Sequence, residues 1–132
     1  MTNATGYQKN GYLAAARSTG SPQAVEYHVF SRVTGALNSA QRDDANFADM
    51  AQAVHDNLML WDEIALAVAS DDNALPVDLR ARLFYLAEFT HAHSRKVLRH
   101  EVSADALIEI NTMVMGGLRT AKAAKEAERC PA

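Results

Sequence analysis

The chain has 132 residues, of which 48% are hydrophobic and 22% charged, and a formal net charge of -3. That length fits one domain with a core of its own, and the acidic balance argues against a protein built mainly to neutralise nucleic-acid phosphate, which takes its affinity from clustered Lys and Arg. Cys130, third from the end, is the single cysteine, which excludes an intramolecular disulfide framework and a cysteine-based zinc site.

The opening M-T-N-A-T-G-Y-Q-K-N lacks the continuous apolar run of a signal peptide, and no run of about 18 apolar residues occurs. The expectation is a cytoplasmic protein with no membrane-inserted segment. Residues 1–20 are rich in Gly, Ser, Thr, Asn and Ala without sustained periodicity and read as a mobile arm. Ser21-Pro22 is a helix start, because a Ser oxygen can accept from a free amide and Pro at the first helical position loses no hydrogen bond. Val25, Val29, Val33, Ala36 and Leu37 then recur at helical spacing to about Arg42.

A second helix follows Asn46, with Phe47, Met50, Val54, Leu58, Trp61, Ala65 and Val68 as its stripe. It ends at D-D-N-A-L-P, residues 71–76, where Pro76 opens a third helix carrying Leu79, Leu83, Leu86, Thr90, His93 and Val97 on one side to about His100. A fourth, capped by Ser103 or Asp105, presents Leu107, Asn111, Val114 and Leu118. Beyond Arg119 the sequence has good helix formers but no large apolar residue, so the polar tail should fray or project into water. No segment alternates as a strand does. The fold class is therefore all-α, a small bundle of about four helices over residues 21–119 with an N-terminal arm (1–20) and a C-terminal tail (120–132).

Charge is unevenly spread. Residues 43–75 hold eight acids and no Lys or Arg, whereas residues 80–99 hold Arg80, Arg82, Arg95, Lys96 and Arg99 against Glu88 alone. If the second and third helices pack antiparallel, their charges complement each other.

The third helix also contains Glu88 and His91, the Glu-x-x-His spacing that bundles use for paired iron or manganese. At about 100° per residue, Glu88 lies about 160° and His91 about 140° from Leu86, so the pair points away from the stripe. No other Glu precedes a His by three residues, and His91 and His93 fall on opposite sides. His93 reads as a core or boundary imidazole bonded to a neighbouring helix, and His28, His55 and His100 as solvated. No nucleophile motif or phosphate loop occurs, and Gly116-Gly117 suits a kink or a close helix contact. No catalytic residue, cofactor or metal is expected.

What remains is surplus apolar surface. With Leu58 set toward the core, Leu60 points outward, Met59 and Leu66 lie on the flank opposite Trp61, and Phe84 shares the polar face of the third helix with Glu88, His91 and Arg95. Met59, Leu60, Leu66 and Phe84 are the candidate partner-binding residues, a surface for a partner helix. Trp61 is placed in the core. Asn111, facing apolar neighbours, must satisfy its amide through adjacent helices and thereby set their register.

The words S-P-Q-A-V-E-Y-H-V-F-S-R-V-T-G-A-L (21–37), A-V-H-D-N-L-M-L-W (53–61), N-A-L-P-V-D-L-R-A-R-L-F-Y-L-A-E-F-T-H-A-H-S (73–94), K-V-L-R (96–99) and L-I-E-I-N-T-M-V-M-G-G-L-R (107–119) occur in that order. Together they resemble the bacterial flagellar biosynthesis regulator FlaF, over about residues 21–119. The family pattern falls on Asn57, Trp61, Leu75, Pro76, Leu79, Arg80, Leu86, Phe89, His93, Ser94, Ile108, Asn111 and Leu118. The resemblance implies a small non-enzymatic cytoplasmic protein that acts as a flagellin secretion chaperone and couples flagellin synthesis to export, with flagellin and the regulator FlbT as partners. The alternative is post-transcriptional regulation through FlbT or flagellin messenger RNA without binding flagellin. Direct RNA binding is not expected, because the chain is acidic and lacks a basic, aromatic stacking platform.

Overall fold

The computed structural model describes the backbone of residues 22–129 and the side chains of residues 27–118. Four helices follow in order: α1 (Pro22–Ala40), α2 (Phe47–Ala69), α3 (Val77–Leu98) and α4 (Asp105–Arg129). No strand occurs among the described residues, so the all-α class is the observed one. The expected arm at residues 1–20 and Cys130 lie outside the described residues.

Helix ends follow local chemistry. Asn46 Oδ1 accepts from the Asp49 amide at 2.9 Å while Asp49 Oδ2 accepts from the Asn46 amide at 3.2 Å, a reciprocal capping box that opens α2. At the end of α3 the Glu101 amide donates to the Lys96 carbonyl at 2.9 Å and the His100 amide to the Val97 carbonyl at 3.0 Å. This reversal needs a left-handed residue, and His100 supplies it at φ 62° where Gly is usual. Its ring lies 5.0 Å from that of Phe47, tilted by 46°. Gln41 ties the connector after α1 to the start of α4: its Oε1 accepts from the Ala104 amide at 2.8 Å, and its Nε2 donates to Asp105 Oδ1 at 3.1 Å.

Beyond Arg119, where either fraying or projection into water is expected, the backbone stays helical and α4 continues to Arg129. The segment T-A-K-A-A-K-E-A-E is made largely of strong helix formers, and extending an existing helix costs far less than nucleating one, so no apolar anchor is needed. Gly116 and Gly117 sit inside this helix. Apart from the backbone of α4 itself, no described residue comes within 4 Å of where a Cβ on either would lie, so no close helix contact is seen at them among the described residues.

The chain divides into two compact units, residues 32–112 and the two flanking stretches before and after them. In the flanking unit Phe30 is buried, Met113 is exposed, and Tyr27 meets His28 edge-on with ring centroids 6.2 Å apart. In the unit of residues 32–112, all four helices supply the core: Leu37 from α1, Ala53 and Val54 from α2, Val97 from α3 and Leu107 from α4, with Ala104 just before it.

The buried side of α2 is not where a hydropathy stripe would centre it. Its buried residues are Ala53, Val54, Asn57, Leu60, Trp61 and Val68. All lie within about 60° of Asn57 on the helix wheel, whereas Leu58 is about 100° away. The inner side of α3 is likewise formed by Ala87, Thr90, Ser94 and Val97, while Leu83 and Leu86 are only half-buried and Leu79 is exposed. A polar line thus runs through the core. Asn111 on α4 joins it, accepting from Trp61 Nε1 at 2.9 Å and donating to Asn57 Oδ1 at 2.8 Å, all three residues being fully buried. Asn57 Nδ2, Thr90 Oγ1 and Ser94 Oγ are buried without a hydrogen-bond partner among the described residues.

Candidate functional site

The α2–α3 hairpin organises the exposed surface. A seven-residue connector and the contact between His91 Nε2 and Asp62 Oδ1 at 2.6 Å fix the two helices as antiparallel neighbours. The connector is stitched from within: Asn73 Nδ2 donates to the Ala67 carbonyl at 3.0 Å, Asn73 Oδ1 accepts from the Leu75 amide at 2.9 Å, and Arg80 Nη1 donates to the Ser70 carbonyl at 3.2 Å. Side chains on this turn are therefore carried by a braced backbone.

The four candidate partner-binding residues separate. Leu66 is 72% exposed and Phe84 41% exposed, both in the half of the hairpin near the connector. Met59 is half-buried. Leu60 is a correction: it is 4% exposed and belongs to the core. Setting Leu58 toward the core turned the wheel too far, because the centre of the buried arc is Asn57, whose polarity hides it from a hydropathy count. With Asn57 as centre, Leu60 lies about 60° away, inside the arc, and Leu66 about 180° away, straight out.

Other exposed apolar side chains were not singled out by periodicity. Leu75, Val77, Leu79, Tyr85 and Phe89 all present substantial surface, with Val77 and Tyr85 as open as Leu66. The signal was available in the spacing: Val77, Ala81, Phe84 and Tyr85 share one outward arc of about 100°. It was obscured because the apolar residues of α3 surround its first turns, so no single stripe stands out. Scattered exposed hydrophobes are ordinary on protein surfaces, but a concentration on one braced hairpin end is what interaction sites look like.

The charge complementarity expected between α2 and α3 is seen at the Asp62–His91 contact, whose side chains are about half exposed. Arg82, Arg95 and Lys96 are exposed and make no ion pair among the described residues, while Arg99 pairs with Glu101 on its own turn at 3.1 Å. The helices turn apolar and small residues toward each other, and so their charged sides face water rather than one another. Glu88 is exposed and His91 is engaged by Asp62, so the Glu-x-x-His pair does not converge on a shared point. His93 sits at the boundary as expected, its Nε2 3.4 Å from the Ser103 carbonyl and its ring stacked on Phe89 at 5.3 Å. Among the described residues no three His, Cys, Asp or Glu side chains converge as a metal ion would need.

At the other end of the hairpin, a shallow cleft of about 340 Å³ is lined by Phe47, Met50, Val97, His100 and Val102, with Gln41 and Ser103 at its polar side. It holds no cluster of ionisable groups suited to catalysis. None of the described helices is long and apolar enough to cross a membrane.

Comparison with known proteins places the chain. The family model described as flagellar protein FlaF matches residues 8–118, beginning well before Ser21, where the resemblance in the sequence words starts. No curated protein and no solved structure matches the chain significantly. Of the positions the family pattern occupies, Asn57, Trp61, Ser94 and Asn111 are fully buried, so this part of the pattern describes the core rather than a contact surface.

Proposed function

The chain belongs to the FlaF family of flagellar proteins, and from that membership we propose that it is a cytoplasmic flagellin-binding secretion chaperone that couples flagellin synthesis to export, without catalytic activity of its own. The observation that supports this reading is the apolar surface left open on the hairpin, at Leu66, Phe84 and Tyr85 together with Leu75 and Val77. An unassembled flagellin subunit has terminal segments able to form amphipathic helices, which self-associate early unless their apolar sides are covered. A helical protein covers such a segment by packing apolar side chains against it. FlbT enters as a second partner through which occupancy by flagellin reports on synthesis.

The test is co-expression of the full chain with the flagellin of the same organism, followed by size-exclusion chromatography with mass detection. The reading requires one co-eluting complex of defined stoichiometry. Separate elution of two folded proteins would overturn it and turn the search to FlbT.

A further inference from the structure

The outward side of α3 is divided along its length. Taking Phe84 as origin, Val77, Ala81 and Tyr85 of the first turns and Ala92, Arg95 and Lys96 of the last all fall within about 120° on the same side. Every one of them is exposed. This strip lies opposite the buried line of Ala87, Thr90, Ser94 and Val97, so it faces straight out from the hairpin. Its first half is apolar, with Tyr85 66% and Val77 68% exposed. Its second half is basic, and Arg95 and Lys96 have no ion-pair partner among the described residues. Two acids lie on the strip: Glu88 between the halves, and Asp78 at the edge of the first half, at the same azimuth as Lys96. From Val77 to Arg95 the strip runs about 27 Å, the length of about five helical turns.

We propose that this strip is a docking site for an amphipathic helix that packs its apolar side chains over Val77, Phe84 and Tyr85 and sets carboxylates against Arg95 and Lys96. The occupant follows from charge and shape together. A long, narrow strip on a single convex helix matches another helix laid along it. Desolvated apolar contact at one end supplies affinity, and unpaired cations at the other select a partner that is acidic there and reject one that is basic. The identity of that partner as flagellin rests on the functional reading above, whereas the chemistry of the strip does not.

The experiment therefore uses two probes beside flagellin. Two synthetic helical peptides of about 20 residues carry the same leucine stripe, one with glutamates in its final turns and the other with lysines there. Binding to the full-length protein is measured by fluorescence anisotropy at low and high salt. The expected result is that the glutamate peptide binds about tenfold or more tighter than the lysine peptide, that the preference shrinks at high salt, that Phe84→Asp/Tyr85→Asp abolishes binding of both, and that Arg95→Glu/Lys96→Glu reverses the preference. Circular dichroism checks that the variants keep their helicity; if the double variants do not fold, the exposed single changes Tyr85→Ser and Lys96→Glu carry the same test with smaller shifts.

Equal binding of the two peptides, no binding of either, or unchanged binding by the apolar variants overturns the proposal. So does a dimer of the wild-type chain that Tyr85→Ser dissociates, because the occupant is then a second copy. Flagellin separates the two claims. If flagellin binds wild type and the strip variants alike, the strip is refuted and the chaperone reading stands; if the peptides discriminate but flagellin does not bind, the strip stands and the chaperone reading falls.

Discussion

Replacing Asn111 by alanine should be among the most damaging single changes in residues 32–112. Its side chain is the middle of a three-helix-position relay, accepting from Trp61 Nε1 at 2.9 Å and donating to Asn57 Oδ1 at 2.8 Å, at zero exposure. Truncation removes both bonds at once. Each buried polar group that loses its partner costs about 1–3 kcal/mol, and the vacated volume adds a cavity term. A total of about 3–5 kcal/mol is expected, against the roughly 5–15 kcal/mol typical of a whole domain. Urea unfolding followed by far-ultraviolet circular dichroism measures it, with an unchanged slope showing that the denatured state is not what changed. Asn111→Leu separates the causes, since it restores volume without either bond and should stay destabilised by at least about 2 kcal/mol. A loss below about 1 kcal/mol in Asn111→Ala, or full recovery in Asn111→Leu, would refute the idea that this relay holds the register of α2 and α4.

Three further outcomes can be read by the same unfolding measurement. Leu60→Ala should cost about 2–5 kcal/mol because the side chain is buried, whereas Leu66→Ala, at 72% exposure, should stay within about 0.5 kcal/mol; equal costs would mean that the arc of α2 is centred elsewhere. Thr90→Val keeps the shape of the side chain and removes a buried hydroxyl that has no partner among the described residues, so it should raise stability by about 1 kcal/mol or more, and a loss would show that the hydroxyl is in fact engaged. Asn46→Ala breaks the capping box of α2 and should cost about 0.5–2 kcal/mol, mostly recovered in Asn46→Ser; no difference between the two substitutions would assign the effect to something other than capping.

Local signals carried the helices well. Pro22, Asn46 and Pro76 stand at the starts of α1, α2 and α3, because capping and the missing proline amide act within one turn and do not depend on what the helix later packs against; the expected Ser21 cap lies outside the described residues. The placement of Trp61 in the core and the demand that Asn111 find partners on other helices also came from sequence, since burial of an amide forces hydrogen bonding whatever the detailed geometry. Beyond Arg119 the sequence leaves fraying and projection into water both open, because good helix formers and a lack of apolar residues pull in opposite directions; the helical backbone runs on to Arg129.

The orientation of each helix about its axis was decided only in the folded state. Hydropathy assigns the inner side by apolar content, but here the centres of the buried arcs are Asn57 on α2 and Thr90 and Ser94 on α3, residues that count as polar until a neighbouring helix is in place. That rotation put Leu60 inside, left Leu66 outside, and gathered Val77, Phe84 and Tyr85 onto one open side. Sequence by itself determined that the chain makes helices, where they begin, and which family it resembles, because those depend on short-range chemistry and on the order of residues. Which sides of α2 and α3 remain for a partner depends on how helices distant in sequence pack, and that is a property of tertiary structure alone.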